Sequence, residues 1–512
     1  MADGSGRILN VRRNILYDLL QFVVSLVLPF AVRTVLIYRF GVEYLGLSSL
    51  FASILGVLSL MELGFGTAVT FSLYKPAADG DIDLMCAYLT HYRRIYRIVG
   101  LAILVAGLVV MPFLESFVRD ASPPGGLDLR VCYLIYLADA VVSYWLYGYM
   151  AVVPTAFQRK DVLSRIDIVM ALLACVARVF ALVLGSSFYP YLLVAPAITV
   201  VRNLVIAREV RRRYSGIECR GDLGLEKRRD LRRRVYGVLV KRLSDVSRNG
   251  IDSLCISAFV GLSMTGRYSN YYYVMSGVLT LGIMVCRSMV PSVGNSVATE
   301  SVEKNYADMR VFDFVFMAFV GWATACMACL YQPFMRLWVG EGGTLGLPIV
   351  AGFCAYYYIL EAGAIQWAYH QGAGLWWECR FAMVGEAVAN VTLNVLLCGL
   401  WGVGGVIAAT VLSVSVTNFV LFPRVLFVNY FRNGKLREYW ADHGAYTVVA
   451  AVCALTSWAV CEGLLPAVGF ACLFARLALC TALCVGVNWL VWHRSERFAA
   501  AIALAKRVVT AR

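Results

Sequence analysis

Residues 33–76 read RTVLIYRFGVEYLGLSSLFASILGVLSLMELGFGTAVTFSLYKP, and this stretch decides the class of the fold. Two long apolar runs meet at a short turn. The first run contains the charged residue Arg33, and the second contains Glu62. A charge inside hydrocarbon costs roughly 2.5–3.5 kcal/mol on insertion scales, so it normally faces protein, a partner or a water-filled cavity. The stretch therefore predicts a membrane protein with a polar interior.

The composition extends this prediction to the whole chain of 512 residues, which is 60% hydrophobic and 15% charged, with a mean hydropathy of +0.71. Soluble chains are roughly 45–50% apolar and about 25% charged. Fourteen segments have about the ~20 apolar residues that a bilayer crossing requires. Span two is predicted at 45–71, span four at 131–157 and span seven, the least hydrophobic, at 236–260. We predict an all-α polytopic membrane protein with about 14 transmembrane helices.

The basic residues predict the orientation of these spans. If the N-terminus is cytoplasmic, 33 of the 46 Lys and Arg residues fall in inside segments and 6 in outside loops. This asymmetry follows the positive-inside rule. We therefore predict a multi-pass protein of the bacterial plasma membrane with both termini cytoplasmic. The net charge of +14 then reports topology, and nucleic acid is not an expected partner.

Several functional classes fit the sequence poorly. No loop is long enough to fold as a catalytic domain, and no G-x-x-x-x-G-K-[ST] motif is present to bind the phosphates of ATP. The first apolar run is too long for the core of a cleaved signal peptide. Nearly all of the 16 cysteines lie in predicted spans and no metal-type CxxC pair occurs outside them, so neither a disulfide framework nor a metal site is expected. We expect a transporter and no enzymatic activity.

The basic connection 208–235 divides the predicted spans into six before it and eight after it. A shift of 220 residues aligns Gly46 with Gly266 and suggests a weak repeat of parallel halves, a common transporter plan. The predicted domains are 1–207 as the N-terminal lobe (spans 1–6), 208–235 as a cytoplasmic linker, 236–430 as the C-terminal lobe (spans 7–12), and 431–512 as spans 13–14 with the cytoplasmic tail.

Charged residues inside the spans are the first candidate site residues. One face of span seven carries a stripe of alternating sign at helical spacing, formed by Lys241, Asp245, Arg248 and Asp252. This stripe lines an aqueous cavity, is self-paired and buried, or lies along the inner interface. Arg287 in span eight has no local partner, so an acid on another helix or an anionic ligand is expected. Arg33 either faces the cavity or snorkels to the outer surface.

Acidic and amide residues form the second candidate set. Glu361 lies in mid-span and is followed by Gln366, while Glu386 and Asn390 share a face of span eleven. Hydroxyl-rich sugars need such hydrogen-bonding partners and stack on aromatic rings, but Asn and Gln also join transmembrane helices to each other. A lone acid such as Glu361 can also take up a proton or Na⁺, which would couple transport to an ion gradient. No other cofactor and no metal are expected.

Four segments of the sequence resemble the polysaccharide-transporter and oligosaccharide-flippase family. They are RTVLIYRFGVEYLGL (33–47), ELGFGTA (62–68), SLYKP (72–76) and the second-half segment 252–273. This family is part of the multidrug, oligosaccharidyl-lipid and polysaccharide exporter superfamily. The resemblance implies two six-helix lobes around a cavity, with spans thirteen and fourteen as additions. It also implies that a polyprenyl-diphosphate-linked oligosaccharide is flipped from the inner to the outer leaflet by alternating access.

The resemblance also implies roles for residues and partners. Arginines in the cavity would bind the diphosphate, and we assign this role to Arg33, Arg248 and Arg287 as a hypothesis. The expected partners are the lipid-linked substrate, membrane lipids and polysaccharide-assembly proteins. Two alternatives remain: a cation-coupled multidrug exporter of the same superfamily, and a component of polysaccharide assembly that transports nothing.

Overall fold

The computed structural model describes residues 4–59, 65–119, 124–185 and 187–510, except for some side chains near both termini, that of residue 67 and those of 233–249. Every regular element within these ranges is helical. The chain divides into two compact units, Met1–Gly266 (unit 1) and Arg267–Arg512 (unit 2). This boundary lies near the start of the helix Leu262–Thr299, whereas the sequence analysis places a linker at 208–235. The predicted division into functional lobes remains a prediction.

The described residues of unit 1 form nine α-helices and the start of a tenth. These are α1 (Gly4–Phe40), α2 (Val42–Leu58), α3 (Phe65–Asp79), α4 (Ile82–Val110), α5 (Leu129–Trp145), α6 (Val152–Ala156), α7 (Lys160–Leu184), α8 (Tyr189–Arg213), α9 (Leu225–Phe259) and the first residues of α10 (Leu262–Thr299).

Unit 2 contains the rest of α10 and eight further helices. These are α11 (Val302–Val339), α12 (Leu347–Ala362), α13 (Ala364–Gly372), α14 (Arg380–Ser415), α15 (Phe422–Leu426), α16 (Leu436–Leu464), α17 (Phe470–Trp492) and α18 (Glu496–Thr510). Two π-helical turns, Val416–Leu421 and Phe427–Phe431, flank α15.

The helices agree with a multi-pass membrane protein. Within the described residues, 10 helices are long and apolar enough to cross a bilayer, or 11 if the bent pair Leu129–Trp145 and Gly148–Ala156 is one span. Predicted spans eleven and twelve lie in the single stretch Arg380–Phe431. The shorter apolar helix Gly250–Phe259 lies within predicted span seven, and Val42–Leu58 overlaps predicted span two. The helical content is therefore consistent with about 14 transmembrane helices, as predicted.

Two glycine turns reproduce the suggested repeat in the backbone. Gly41 joins α1 to α2 with φ +109°, and Gly261 joins α9 to α10 with φ +124°. These φ values are rarely adopted by residues with a side chain. The two turns are 220 residues apart, which is the shift that aligns Gly46 with Gly266. A Cβ built on Gly46 would lie 3.1 Å from the backbone nitrogen of Gly266 and still closer to the Leu262 carbonyl. The starts of α2 and α10 therefore cross at backbone contact.

Helix α11 is the central helix of unit 2. Two thirds (67%) of its apolar window is buried, and it packs against α12, α16 and α17. Six buried cysteines meet where α11, α16 and α17 pack together: Cys326, Cys329, Cys453, Cys461, Cys480 and Cys484. Arg476 on α17 is also buried there; it pairs with Glu462 at 2.7 Å and donates to the carbonyl of Leu465. All 16 cysteines are free thiols, and those in this cluster are packing residues.

Candidate functional site

The most unusual polar site in unit 2 lies where α12 gives way to α13. Helical hydrogen bonding is interrupted at Gly363, and the carbonyl of Ile359 accepts a hydrogen bond from the Asn418 Nδ2 at 2.9 Å. A Cβ on Gly363 would lie 2.8–3.1 Å from the side-chain amide of Asn418, so a glycine is needed for this approach. Non-helical backbone at membrane depth is tolerated where other groups satisfy its hydrogen bonds.

Gln366 completes the hydrogen bonding at this interruption. Its Nε2 donates to the backbone carbonyl of Asn418 at 2.7 Å, and its Oε1 accepts from the Tyr439 hydroxyl at 3.0 Å. Asn418 itself lies on the π-helical turn Val416–Leu421, and such turns are frequent at functional sites. Gln366 is 1% exposed and uses both ends of its amide to hold these segments together. A contact with sugar for Gln366 remains a prediction.

Glu361 lies beside this network but does not join it. Its side chain is 1% exposed, and neither carboxylate oxygen has a hydrogen-bond partner among the described residues. The carboxylate faces Gly282 on α10, where a Cβ would lie 2.5 Å from Oε2. The Tyr357 hydroxyl one turn earlier on α12 is also buried without a partner in the described part of the chain. A buried carboxylate without a partner is costly as an anion, so this site favours a bound proton or cation.

Asn390 and its neighbours form a second polar cluster, within α14. The Nδ2 of Asn390 donates to Thr410 Oγ1 at 3.1 Å and to Ser413 Oγ at 3.2 Å, and Asn394 donates to Asn390 Oδ1 at 3.1 Å. Twenty residues of straight helix would span ~30 Å, so these bonds exist only because the backbone breaks at Gly402 (φ 56°, ψ −131°). The amides join the two halves of the stretch, the helix-packing role weighed above.

The other acidic candidates are buried and have interaction partners. Glu386, one turn before Asn390, is 6% exposed, and Asp252 on α9 is 1% exposed within unit 1. Glu62 lies outside the described residues. The side chains of the remaining span-seven candidates also lie outside them, although the backbone there is helical as predicted: Lys241, Asp245 and Arg248.

The two remaining cationic candidates have different surroundings. Arg33 is half-buried on α1 and has an interaction partner. Arg287 on α10 is exposed and forms no ion pair with the residues that the structure describes, whereas Cys286 beside it is buried and lies near Glu361. Arg287 therefore does not neutralise Glu361. The anionic ligand expected for Arg287 remains a prediction.

Sequence reasoning missed a polar network in unit 1. Asp167 on α7 accepts from Arg202 Nε on α8 at 2.6 Å and from the Gln21 amide on α1 at 3.5 Å. One turn away, Asp18 pairs with Lys160 at 2.8 Å. Asp167 is a single acid in an apolar span, the same signal that pointed to Glu361. These ion pairs join α1, α7 and α8.

A second network in unit 2 was also missed because its members are distant in sequence. His443 Nε2 lies 2.8 Å from Asp313 Oδ2, and both side chains are buried. Arg310 pairs with Glu438 at 2.7 Å and with Asp442 at 3.3 Å. These contacts fasten α16 to α11. No group of three or more His, Cys, Asp or Glu side chains in the described ranges is arranged to hold a metal ion.

The fold defined by these helices is that of a transporter of the multidrug, oligosaccharidyl-lipid and polysaccharide exporter (MOP) superfamily. The lipid II flippase MurJ in an inward closed conformation matches with a TM-score of 0.66 and 11% identity over 94% of this chain and 98% of that one. An inward-facing multidrug resistance MATE transporter of the MOP superfamily matches with a TM-score of 0.62 and 15% identity over 80% and 95%. The Vibrio cholerae MATE transporter VcmN matches with a TM-score of 0.56 and 13% identity over 83% and 99%.

No protein-family model and no curated protein match the sequence. At these identities the structural matches establish the fold alone. The chain is therefore a multi-pass membrane protein whose fold is shared by a flippase and by multidrug transporters.

Proposed function

We propose that this protein flips a polyprenyl-diphosphate-linked oligosaccharide from the inner to the outer leaflet, for cell-surface polysaccharide synthesis, by alternating access of two lobes. The observation that carries the proposal is Arg287, an exposed arginine within a transmembrane helix that has no acidic partner among the described residues. A membrane-embedded cation suits an anionic substrate. The fold shared with a lipid II flippase and the four sequence motifs support the same function.

The diphosphate is the part of the substrate that requires positive charge. Arginine binds phosphate oxygens through paired N–H donors, and such charge-assisted hydrogen bonds are stronger than neutral ones. We assign this role to Arg33, Arg248 and Arg287, and Lys241 and the acids of span seven stay candidate cavity residues. The amides Gln366 and Asn390 are the proposed sugar contacts, although their present hydrogen bonds are with protein.

The polyprenyl tail requires an apolar surface. A groove of about 390 Å³ between α16 and α17 is lined almost wholly by small and branched apolar side chains: Gly444, Ala445, Val448, Val449, Val452, Val487, Val491 and Trp492. Such a surface gains about 0.8 kcal/mol for each CH₂ group that it buries. We place the tail on this face, which is formed by the last two predicted spans.

Glu361 is the proposed coupling residue. A carboxylate without a partner among the described residues can exchange a proton or Na⁺ with little rearrangement of hydrogen bonds, and Glu361 lies two residues before the interruption at Gly363. Uptake and release of the ion would accompany the change between inward and outward access. We further propose that both termini are cytoplasmic and that polysaccharide-assembly proteins supply and receive the substrate.

Complementation tests the proposal. A strain lacking this protein is supplied with the wild-type chain, Arg248→Ala, Arg287→Ala or Arg336→Ala, and surface polysaccharide is quantified together with protein in the membrane. Arg336 is the matched control because it is an exposed arginine of unit 2 that lies beside Glu341 at a helix end. We expect Arg248→Ala and Arg287→Ala to abolish export and Arg336→Ala to retain it. Normal polymer in both of the first two variants would contradict the assignment.

A cation-coupled multidrug exporter is the second candidate function, and the buried Glu361 favours it because acidic sites suit cationic drugs. The MATE transporters that share the fold support the same alternative. Drug accumulation in cells with and without the protein separates the two functions. Export of cationic dyes with normal surface polysaccharide would favour the exporter over the flippase.

A further inference from the structure

Helix α5 of unit 1 ends in a break that leaves Trp145 exposed. The helix ends at Trp145, and the following segment Gly148–Ala156 departs at 57°. Tyr147 at the break has φ 56° and ψ 8°, a left-handed conformation that is uncommon for residues other than glycine. Such conformations persist only where the surrounding structure enforces them. Trp145 is 47% exposed beside the break.

Two arginines from the flanking helices converge on the break. The Nε1 of Trp145 donates to the backbone carbonyl of Arg97 on α4 at 3.2 Å. On the other side, the guanidinium of Arg211 on α8 lies 5.0 Å from the centre of the Tyr147 ring. Both arginine side chains are exposed. The end of α5 therefore contacts both α4 and α8, and we give the name arginine groove to the side chains at this junction (Arg97, Trp145, Tyr147, Arg208 and Arg211).

The groove lies where the apolar surface of unit 1 ends. On α4, Ile98 and Leu101 are 67% and 53% exposed and follow Arg97 directly. On α8, Leu204 is 46% exposed and lies one turn before Arg208. A change from exposed apolar to basic side chains, with a tryptophan at the change, is typical of the boundary between hydrocarbon and headgroups. The arginines are therefore placed at headgroup level.

The neighbouring acids do not neutralise these arginines. Glu209 is bound by Arg212 and Arg213 on its own helix. Asp222 is bound by Arg94 and Arg228. In the described part of the chain, no acid pairs with the three arginines of the groove. Three exposed arginines near the break therefore have no acidic counter-charge among the described residues.

We propose that the arginine groove binds the phosphodiester headgroup of an anionic phospholipid, in the leaflet that faces this end of unit 1. Arg97 and Arg211 hold the phosphate oxygens from opposite sides, and Arg208 adds positive charge. Trp145 and Tyr147 lie beneath the glycerol, and the exposed Leu101 and Leu204 contact the acyl chains. Basic pockets between transmembrane helices bind lipid headgroups in this manner. The site does not depend on the proposed transport function.

Native mass spectrometry of the full-length protein in detergent tests this site. The protein is titrated with phosphatidylglycerol, or with phosphatidylcholine of the same acyl chains, as wild type, as Arg97→Gln/Arg211→Gln and as Arg39→Gln. Arg39 is the matched control. It is an exposed arginine 5.8 Å from the Phe40 ring, but it lies in the last turn of α1, a helix that contributes no residue to the groove. We expect several-fold lower phosphatidylglycerol occupancy in the double variant, no change in the control, and weak phosphatidylcholine binding throughout.

A second measurement keeps every arginine of the groove and so does not rely on the folding of a charge variant. Fluorescence quenching by brominated phosphatidylglycerol is compared between wild type and Trp145→Phe, with brominated phosphatidylcholine as reference. We expect a quenched component that depends on Trp145 and appears only with the anionic lipid. Equal occupancy in wild type and double variant, or equal quenching by both lipids, would overturn the proposal. Displacement of the lipid by millimolar glycerol phosphate alone would show a phosphate site and overturn its assignment to a lipid.

Discussion

The carboxylate of Glu361 packs directly over Gly282, so that a Cβ on the glycine would lie 2.5 Å from Oε2 and 2.6 Å from Oε1. The absence of a side chain at Gly282 on α10 creates the space in which an acid of α12 is buried. Neither oxygen has a hydrogen-bond partner among the described residues. This pair of residues therefore defines a buried position in unit 2 at which an acid lies against the backbone of α10.

Glu361→Gln keeps the volume of this side chain but removes its ability to bind a proton or cation. We expect the variant to fold and reach the membrane like the wild type, because a neutral amide is no costlier to bury than an unpaired carboxylate. Transport should lose its response to an imposed proton or Na⁺ gradient, measured in proteoliposomes with each gradient applied separately. A Glu361→Gln variant that still responds to one of the gradients would exclude Glu361 as the coupling residue.

Asn418→Ala should destabilise unit 2. The change leaves the Ile359 carbonyl without its side-chain donor at the interruption of α12, and an unsatisfied buried group costs about 1–3 kcal/mol. Asn429→Ala is the matched control, since its Nδ2 donates only to Val425 one turn earlier. Thermal unfolding in detergent should show a clear loss for Asn418→Ala and a smaller one for Asn429→Ala. Equal losses would mean that the bond across helices is not special.

Gly46→Ala should be far more disruptive than Gly56→Ala on the same helix. The new Cβ at position 46 would collide with the backbone carbonyl of Leu262, which cannot rotate away, whereas a Cβ at position 56 meets no atom within 4 Å. Overpacking of this kind costs about 1–3 kcal/mol. The comparison requires only the melting temperatures of the two variants. Similar melting temperatures would show that α2 and α10 do not depend on this contact.

Acid should loosen the connection that follows α8. Partial desolvation raises the pKa of Asp222, but the guanidiniums of Arg228 and Arg94 outweigh it and hold the pKa below its usual value. A lowered folded-state pKa means that the ion pairs stabilise the loop above the ordinary aspartate range, and that this contribution is lost as the pH falls through the lowered value. The protection factors of the amides in residues 214–224, which correct for the slower intrinsic exchange in acid, should therefore fall in acid for the wild type. In Asp222→Asn they should be lowered already at neutral pH, and identical protection in both proteins at neutral pH would contradict the role of Asp222.

The fold class could be predicted because hydrophobic length and charge asymmetry are local properties. Arg33 and Glu62 marked the chain as a membrane protein, and the helices within 380–431 agree with the two spans predicted there. The candidate site was predicted only in part. Glu361 was recognisable as an isolated acid in an apolar run, but nothing in the sequence indicates that Gly282 covers it.

The sequence by itself determined which segments can lie in hydrocarbon and where glycine allows a turn. It also identified the charges within apolar segments that require a partner. Only the tertiary structure decided which of these charges are satisfied. Asp167 is neutralised by Arg202, which lies 35 residues away, and Asn390 bonds to Thr410 because the backbone breaks at Gly402. Glu361 and Arg287 have no such partner among the described residues. The physical reason is that the cost of a buried charge depends on neighbours within a few ångströms, and packing of distant segments brings those neighbours together.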